Sequence, residues 1–344
     1  MNDNKTSHTH GSVGVLVINL GTPSAPDTSS VRRYLKQFLS DPAVITLPGW
    51  ARWLLLRLVI LPFRSPKSAK AYQSIWTEEG SPLMVHSRNF VDELQRDLPG
   101  LNVVLGMRYG EPSISSALEQ LAQCQKIIVI PMYPQFANAT TQSTIDEVER
   151  CFKQLKLSAD LVWIRDFYAK TGFASTIASL IDSRMTENLK PHILMSYHGL
   201  PKSQLSSICG DKSCFKQNKP CAIDDVNSAC YRMQCYHTSY LIAKALDLSK
   251  DQYSIAFQSR LGANAWIQPY TDKSLESLLN RGIKNILVVC PAFVSDCIET
   301  LEEIAMELKE QWLEMGGDSL SLVPCLNAEK VWVKNVSGWV QEIL

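Results

Sequence analysis

Ser196-Tyr197-His198-Gly199-Leu200-Pro201 ends an apolar run on a histidine. Gly199 and Pro201 turn the chain at once, so the imidazole is expected to stand at a strand end on rigid backbone. Imidazole titrates near neutrality and suits proton transfer; a hydrogen-bonded structural histidine is the other reading. A second stretch, Phe293-Val294-Ser295-Asp296-Cys297-Ile298-Glu299-Thr300-Leu301-Glu302-Glu303, follows the apolar run Ile286 to Cys290. Ser295 or Asp296 is placed to cap the helix that begins here. Glu299, Glu303 and Glu307 are four apart and stack on one helix face, with Glu310 and Glu314 continuing the column approximately. Like charges so stacked cost roughly a few tenths of a kcal/mol per pair. The column reads either as a solvated face or as a carboxylate path passing cations or protons inward. Glu299 lies nearest the strand end and so nearest a cleft.

Two further features carry chemistry. Half of the ten cysteines (Cys209, Cys214, Cys221, Cys230 and Cys235) fall in one short segment, interleaved with Lys212, Lys216 and Lys219. Gly210 and Pro220 keep that segment out of regular structure. Thiolates from Cys209, Cys214, Cys221 and Cys230 suit an iron–sulfur cluster or zinc. The spacing lacks the Cys-x2-Cys pairs common at zinc sites, which favours 2Fe–2S with zinc second, and free loop thiols remain open. Cys235 begins a helical stretch and is expected to be packed. The other feature is the basic, aromatic run Trp50 to Phe63, set between Pro48 and Ala71 with Arg52, Arg57, Arg64, Lys67 and Lys70 and no acid. Such a segment lies in a membrane interface, forms an apolar lip over a flat ligand, or is an ordinary buried helix.

These residues need a scaffold. The chain has 344 residues, enough for about two domains, with 45% hydrophobic and 20% charged residues, as a globular protein requires. Basic and acidic residues number 34 each, which argues against nucleic acid as a partner. No apolar run is long enough to span a membrane. Residues 1–12 are polar and hold no secretory core, so they read as a disordered tail in a chain of the reducing cytoplasm. Val13 to Leu20, Val103 to Met107, Lys126 to Ile130 and Leu161 to Ile164 read as strands. Ser29 to Leu39, Pro112 to Cys124, Ser143 to Leu155 and Gly172 to Leu189 read as helices. This alternation predicts an α/β fold of parallel sheets flanked by helices. The second half repeats the first loosely: Ile193 to Tyr197 runs into Gly199-Leu200-Pro201 as Ile18 to Leu20 runs into Gly21-Thr22-Pro23, and Ile286 to Pro291 resembles Ile127 to Pro131. The expected organisation is an N-terminal half, 13–170, with the lip at 48–71. A C-terminal half, 171–325, carries a cysteine-rich insertion at 205–235, and a C-terminal helix within 326–344 packs back on the body. Ligands of open α/β sheets sit at the carboxyl ends of the strands, which places the active site there, in the cleft between the halves. No Walker loop, Gly-x-Gly-x-x-Gly after a strand, or Gly-x-Ser-x-Gly elbow occurs, so no nucleotide is expected.

The run of Val17-Ile18-Asn19-Leu20-Gly21-Thr22-Pro23, Gly80-Ser81-Pro82-Leu83, Gly106-Met107-Arg108-Tyr109, Pro131-Met132-Tyr133-Pro134-Gln135-Phe136, Tyr197-His198-Gly199-Leu200-Pro201, Phe257-Gln258-Ser259-Arg260 and Asp296-Cys297-Ile298-Glu299-Thr300-Leu301 resembles the ferrochelatase family, in order and over nearly the whole chain after residue 12. The resemblance implies two Rossmann-like halves and insertion of Fe2+ into protoporphyrin, with release of two protons, as the last step of haem synthesis. It implies His198 and Glu299 as the catalytic pair that also meets the metal. Glu303, and Glu307 beyond it, extend that reading outward as a proton or metal route. Leu20, Tyr72, Arg108 and Trp266 match positions lining or bordering the porphyrin. Many members carry His where this chain has Cys297, and some bacterial members hold a 2Fe–2S cluster on internal cysteines. Alternatives at this level are a coproporphyrin ferrochelatase, a cobalt-type chelatase, a non-catalytic porphyrin carrier and a redox sensor built on the cysteines. Peripheral contact with the inner membrane through 48–71 is a further expectation.

Overall fold

Val13–Asn19 (β1) is aliphatic nearly throughout and lies at the centre of a parallel sheet, between Asn102–Met107 (β2) and Lys126–Pro131 (β3), with Asp160–Trp163 (β4) outermost. The computed structural model describes residues 12–185, 190–205, 229–260 and 265–344. His192–His198 (β5) takes the same central place in a second parallel sheet, flanked by Tyr253–Gln258 (β6) and Asn285–Val289 (β7), with Ser319–Leu322 (β8) at the edge. The strand orders, β2-β1-β3-β4 and β6-β5-β7-β8, are the same pattern used twice. The partial internal repeat in the sequence is therefore a repeat of topology.

Side chains alternate across each strand. Val15 and Val17 of β1 and Ile193, Met195 and Tyr197 of β5 belong to one continuous buried core that joins the two halves. Leu16 and Ile18 face the other way, under the Ile114–Gln120 helix, and Leu194 faces Leu275 and Trp312 on the outer side of the second sheet. Both faces of both sheets are thus covered, as continuous aliphatic strands require. The halves share this core. The Lys330–Gln341 helix closes the core: Trp332 is fully buried and stacks within 6.0 Å of Phe90, 5.5 Å of Phe167 and 5.8 Å of Phe173.

Several boundaries differ from the sequence expectation. The helix expected over Pro112 to Cys124 is only Ile114–Gln120, because Ser113 caps it by accepting from the Ser116 N–H at 3.2 Å. The one expected to run to Leu189 is Thr171–Asp182, and residues 186–189 lie outside the described residues. Of the expected tail, residues 1–12, the first eleven also lie outside them; Ser12 is exposed but already tied to the sheet, its carbonyl accepting from Gln125 N at 2.8 Å. The lip is two α-helices, Gly49–Leu55 and Leu61–Ile75, joined by a π-helical turn at Leu56–Ile60. Trp50 and Phe63 are 75% and 77% exposed, so this segment is no buried helix. Among the described residues no helix is long and apolar enough to cross a membrane.

Candidate active site

The carboxyl ends of β5 and β6 carry a polar cluster. His198 ends β5 in register with Gln258 of β6. Its Nδ1 lies 2.6 Å from the Gly199 carbonyl oxygen. A carbonyl can only accept, so Nδ1 carries the proton, and Nε2 of the neutral ring keeps its lone pair for accepting another. Phe293 stands edge-on to the imidazole at 6.3 Å, and the Tyr231 hydroxyl donates to the His198 carbonyl at 2.8 Å. Gly199 must be glycine, because a Cβ there would lie 2.8 Å from the Gln258 carbonyl oxygen.

The carboxylates come from the chain after β7. Glu299 lies in the short helix Ile298–Leu301. The expected cap, Ser295 or Asp296, is not the one used. Cys297 is the N-cap, its N–H donating to Thr300 Oγ1 at 3.0 Å. Asp296 is buried and braces the helix from behind, accepting from Thr300 Oγ1 at 3.1 Å and from Asn327 Nδ2 at 2.8 Å. Burial and the neighbouring Glu299 push the Cys297 thiol well above its ordinary pKa, so it stays protonated. Glu303 accepts from the Ser259 N–H at 2.8 Å and from Ser259 Oγ at 2.5 Å. Ser259 reaches both carboxylate oxygens because its φ of +62° folds the chain back after β6, a left-handed conformation uncommon for a residue with a side chain. Burial raises the Glu303 pKa. The Ser259 hydrogen bonds and His198 lower it, and Glu299 raises it again. His198, Glu299 and Glu303 therefore share one electrostatic neighbourhood.

Beyond Glu303 the straight carboxylate column does not hold. Glu303–Leu308 is a π-helical turn, in which Glu307 N donates to the Glu302 carbonyl, five residues back, at 2.9 Å. One extra residue per turn rotates the register. Glu302, which α-helical spacing puts off the column, comes to face Glu307, and its pKa rises to about 7 through burial first, then repulsion by Glu307 and Glu303, with Lys67 opposing. Glu307 is exposed. A π turn leaves no mark on residue spacing, so Glu302 was not legible as a site residue.

The first half supplies the opposite wall. Gly21 has φ +104°, and a Cβ there would lie 1.7 Å from the Tyr109 carbonyl oxygen, so the loop after β1 closes tightly only with glycine. Leu20, Tyr34 and Tyr72 cluster there with Ile298 and Leu301 from the glutamate-bearing helix, so this apolar patch is built by both halves. Burial, then Glu299 and Cys297, push the Tyr72 phenol far up, and Tyr34 is raised likewise; both face the carboxylate as neutral groups. Arg108 is held differently. Its Nη2 is paired with Asp41 Oδ2 at 2.6 Å, its Nε donates to Ser143 Oγ at 2.8 Å and its guanidinium covers the Tyr109 ring at 4.5 Å. The structure commits Arg108 to an intramolecular ion pair in which both side chains are mostly buried. Trp266 is buried and bridges Pro201, bringing its ring against Gly199 beside His198.

Of the four cysteines proposed as cluster ligands, Cys209, Cys214 and Cys221 lie outside the described residues. Cys230 is buried at the head of the Tyr231–Ala245 helix, and Cys235 is fully buried within it. Among the described residues no three His, Cys, Asp or Glu side chains converge as a resident metal site. Cavities of about 370 and 880 Å3 lie behind the glutamate-bearing helix and at the opposite edge of the second sheet, and neither is lined by His198 or Glu299.

Comparison with known proteins bears on the chain as a whole. The structure resembles SirB from Bacillus subtilis, solved with Fe3+, at a TM-score of 0.54 and 9% identity, covering 96% of this chain and 95% of that one. It resembles a chelatase-like multi-domain protein of Deinococcus radiodurans at a TM-score of 0.50 and 12% identity, covering 95% and 55%. At such identities the likeness is one of fold. In sequence, the chain is 46% identical to a ferrochelatase of Legionella pneumophila over 330 residues, 96% of this chain and 98% of that relative. It is also 46% identical to a ferrochelatase of Coxiella burnetii over 338 residues, 96% and 94%. The ferrochelatase family model matches residues 12–344, and the chain belongs to the ferrochelatase family.

Proposed function

We propose that this chain inserts Fe2+ into protoporphyrin IX, releasing two protons and giving protohaem. The observation that carries this reading is the His198 imidazole, its Nδ1 held by the Gly199 carbonyl, grouped with Glu299 and Glu303 at one sheet edge, with Glu299 on a helix that packs against an apolar patch from the other half. A free-base porphyrin has two inner N–H groups that block the metal. His198 Nε2 takes a pyrrole proton, and Glu299 takes the second or hands over the dehydrated metal. Glu303, then Glu302 and Glu307, lead outward, the raised Glu302 being able to both hold and release a proton near neutrality. Leu20, Tyr72 and Trp266 offer the flat apolar contact that a macrocycle needs, and binding it bent draws about 1–5 kcal/mol from such remote contacts. Propionate recognition falls to the basic residues of the lip, since Arg108 is occupied by Asp41.

The test is anaerobic incubation with Fe2+ and protoporphyrin, read by the absorption spectrum of the product. Parallel reactions with coproporphyrin and with Co2+ assign substrate and metal. Formation of neither metalloporphyrin would reject the reading.

The lip is read as a peripheral membrane contact, keeping the chain in the cytoplasm against the inner membrane. Exposed Trp50, Trp53 and Phe63 beside Arg57, Arg64 and Lys67 support it. Arg57→Glu with Arg64→Glu should abolish co-sedimentation with anionic vesicles, and unchanged sedimentation would count against it. The cysteine segment is read as a 2Fe–2S site with Cys209, Cys214, Cys221 and Cys230 as thiolate ligands. The donor set, with Gly210 and Pro220 set among the cysteines, suits such a cluster, whose bound form would add redox-active iron. Visible absorption lost in Cys214→Ser supports it, and a colourless protein with bound zinc selects the rival.

A further inference from the structure

Gln258 occupies a position that the proton and metal chemistry above does not use. It is 4% exposed and ends β6 opposite His198. Its backbone carbonyl accepts from the Gly199 N–H at 2.7 Å, which ties it to the residue after the imidazole. Its side chain points the other way along the site. Nε2 donates to the Glu299 carbonyl at 2.8 Å and lies 3.5 Å from Glu303 Oε2. Oε1 accepts from Ser196 Oγ at 2.7 Å, and Ser196 is itself 2.8 Å from Thr271 Oγ1. The amide orientation is set by chemistry: a backbone carbonyl and a carboxylate both need a donor, so the NH2 must face the glutamates.

We infer that Gln258 is a positioning residue of this site, a side chain that bolts the histidine strand to the glutamate-bearing helix. The His198 loop and the Glu299 helix come from separate stretches of chain, and the hydrogen bonds of Gln258 span them directly. Metallation needs a proton acceptor and a carboxylate at fixed places about one macrocycle, and a shift of about 1 Å in such an arrangement costs on the order of 10²-fold in rate. Ser196 acts one step behind. By occupying Oε1 it keeps the amide from turning over and presenting oxygen to Glu299. Neither residue is needed to bind porphyrin, so their loss should fall on turnover. The inference rests on the reading of this site as a metallation centre.

The experiment measures kcat and the porphyrin KM for the full chain and for three variants. Gln258→Leu with Ser196→Ala removes both ends of the Ser196–Gln258 hydrogen bond, with Thr271 Oγ1 losing Ser196 as its partner; kcat should drop about 100-fold with the porphyrin KM within about 2-fold of wild type. Ser196→Ala alone should lower kcat about 5-fold, the worth of one buried hydrogen bond, again with KM unchanged. Gln258→Glu should be at least as slow as Gln258→Leu despite its matching shape, because it sets a carboxylate against Glu303. Should Gln258→Leu not fold, Ser196→Ala and Gln258→Glu decide. Variants with wild-type kcat overturn the inference, as does a KM that rises in proportion to the loss. A wild-type protein that metallates no porphyrin sinks the functional reading instead, which keeps the two failures distinct.

Discussion

The two halves share a strand order and differ in what they do with it. At the carboxyl edge of the first sheet, polar side chains satisfy one another. Asn19 donates to Ser87, Tyr34 to the Gly21 carbonyl, and Arg108, Tyr109 and Ser143 all converge on Asp41. At the same edge of the second sheet, His198 is left with an accepting nitrogen, and Glu303, although doubly hydrogen-bonded by Ser259, has its pKa raised rather than lowered. The first edge is electrostatically closed and makes a wall. The second leaves an imidazole and carboxylates grouped at the strand ends, where the site is proposed. One topology supports both because the strands set only where the loops emerge, while the loop residues set the chemistry.

The contrast can be broken where its effect is largest. His198→Ala should abolish metallation while leaving porphyrin binding intact, a loss of about 10²–10⁴-fold in kcat; near wild-type turnover would remove the second edge from the chemistry. Glu299→Gln should follow, and Glu303→Gln should slow turnover less than Glu299→Gln does. The reverse order, measured in the same assay, would reject an inward path that ends at Glu299. On the first edge the signature should be stability. Arg108→Ala strands the buried Asp41 carboxylate and should cost about 3 kcal/mol in denaturant unfolding, with Asp41→Asn in the same chain restoring part of it. A raised porphyrin KM without loss of stability would instead make Arg108 a substrate contact.

The smallest effect sharpens the picture of the outward path. Glu302 holds its proton more tightly in the folded chain, up to a pKa of about 7, than in the unfolded one. Folding is therefore penalised as pH rises through 7, and the penalty is absent below the ordinary glutamate range. Glu302→Gln should accordingly melt higher than wild type at pH 8 and close to it at pH 5. Equal melting temperatures at both values would show that Glu307, Glu303 and Lys67 do not act on this group as described.

What was legible in the chain was whatever depends on local pattern. Aliphatic runs such as Val13–Asn19 are long and apolar enough to announce strands covered on both faces, and a histidine or glutamate just past such a run must emerge at the sheet edge. His198, Glu299 and Glu303 could be named on that ground. The resemblance added Leu20, Tyr72, Arg108 and Trp266, of which Arg108 turned out to be bound to Asp41 through a contact spanning much of the first half. Gln258 and Ser259 stood in a quoted motif without any role, since a side-chain amide bridging two distant segments has no signature in spacing. The composition and periodicity of this chain determined that it would form two similar parallel-sheet layers with chemistry at their carboxyl edges, because burying aliphatic strands allows little else. Which edge gathers the histidine and the glutamates, which carboxylates meet across the π turn and which side chain bridges their segments were decided only in three dimensions, because those properties depend on desolvation and on hydrogen bonds between segments that the sequence holds far apart.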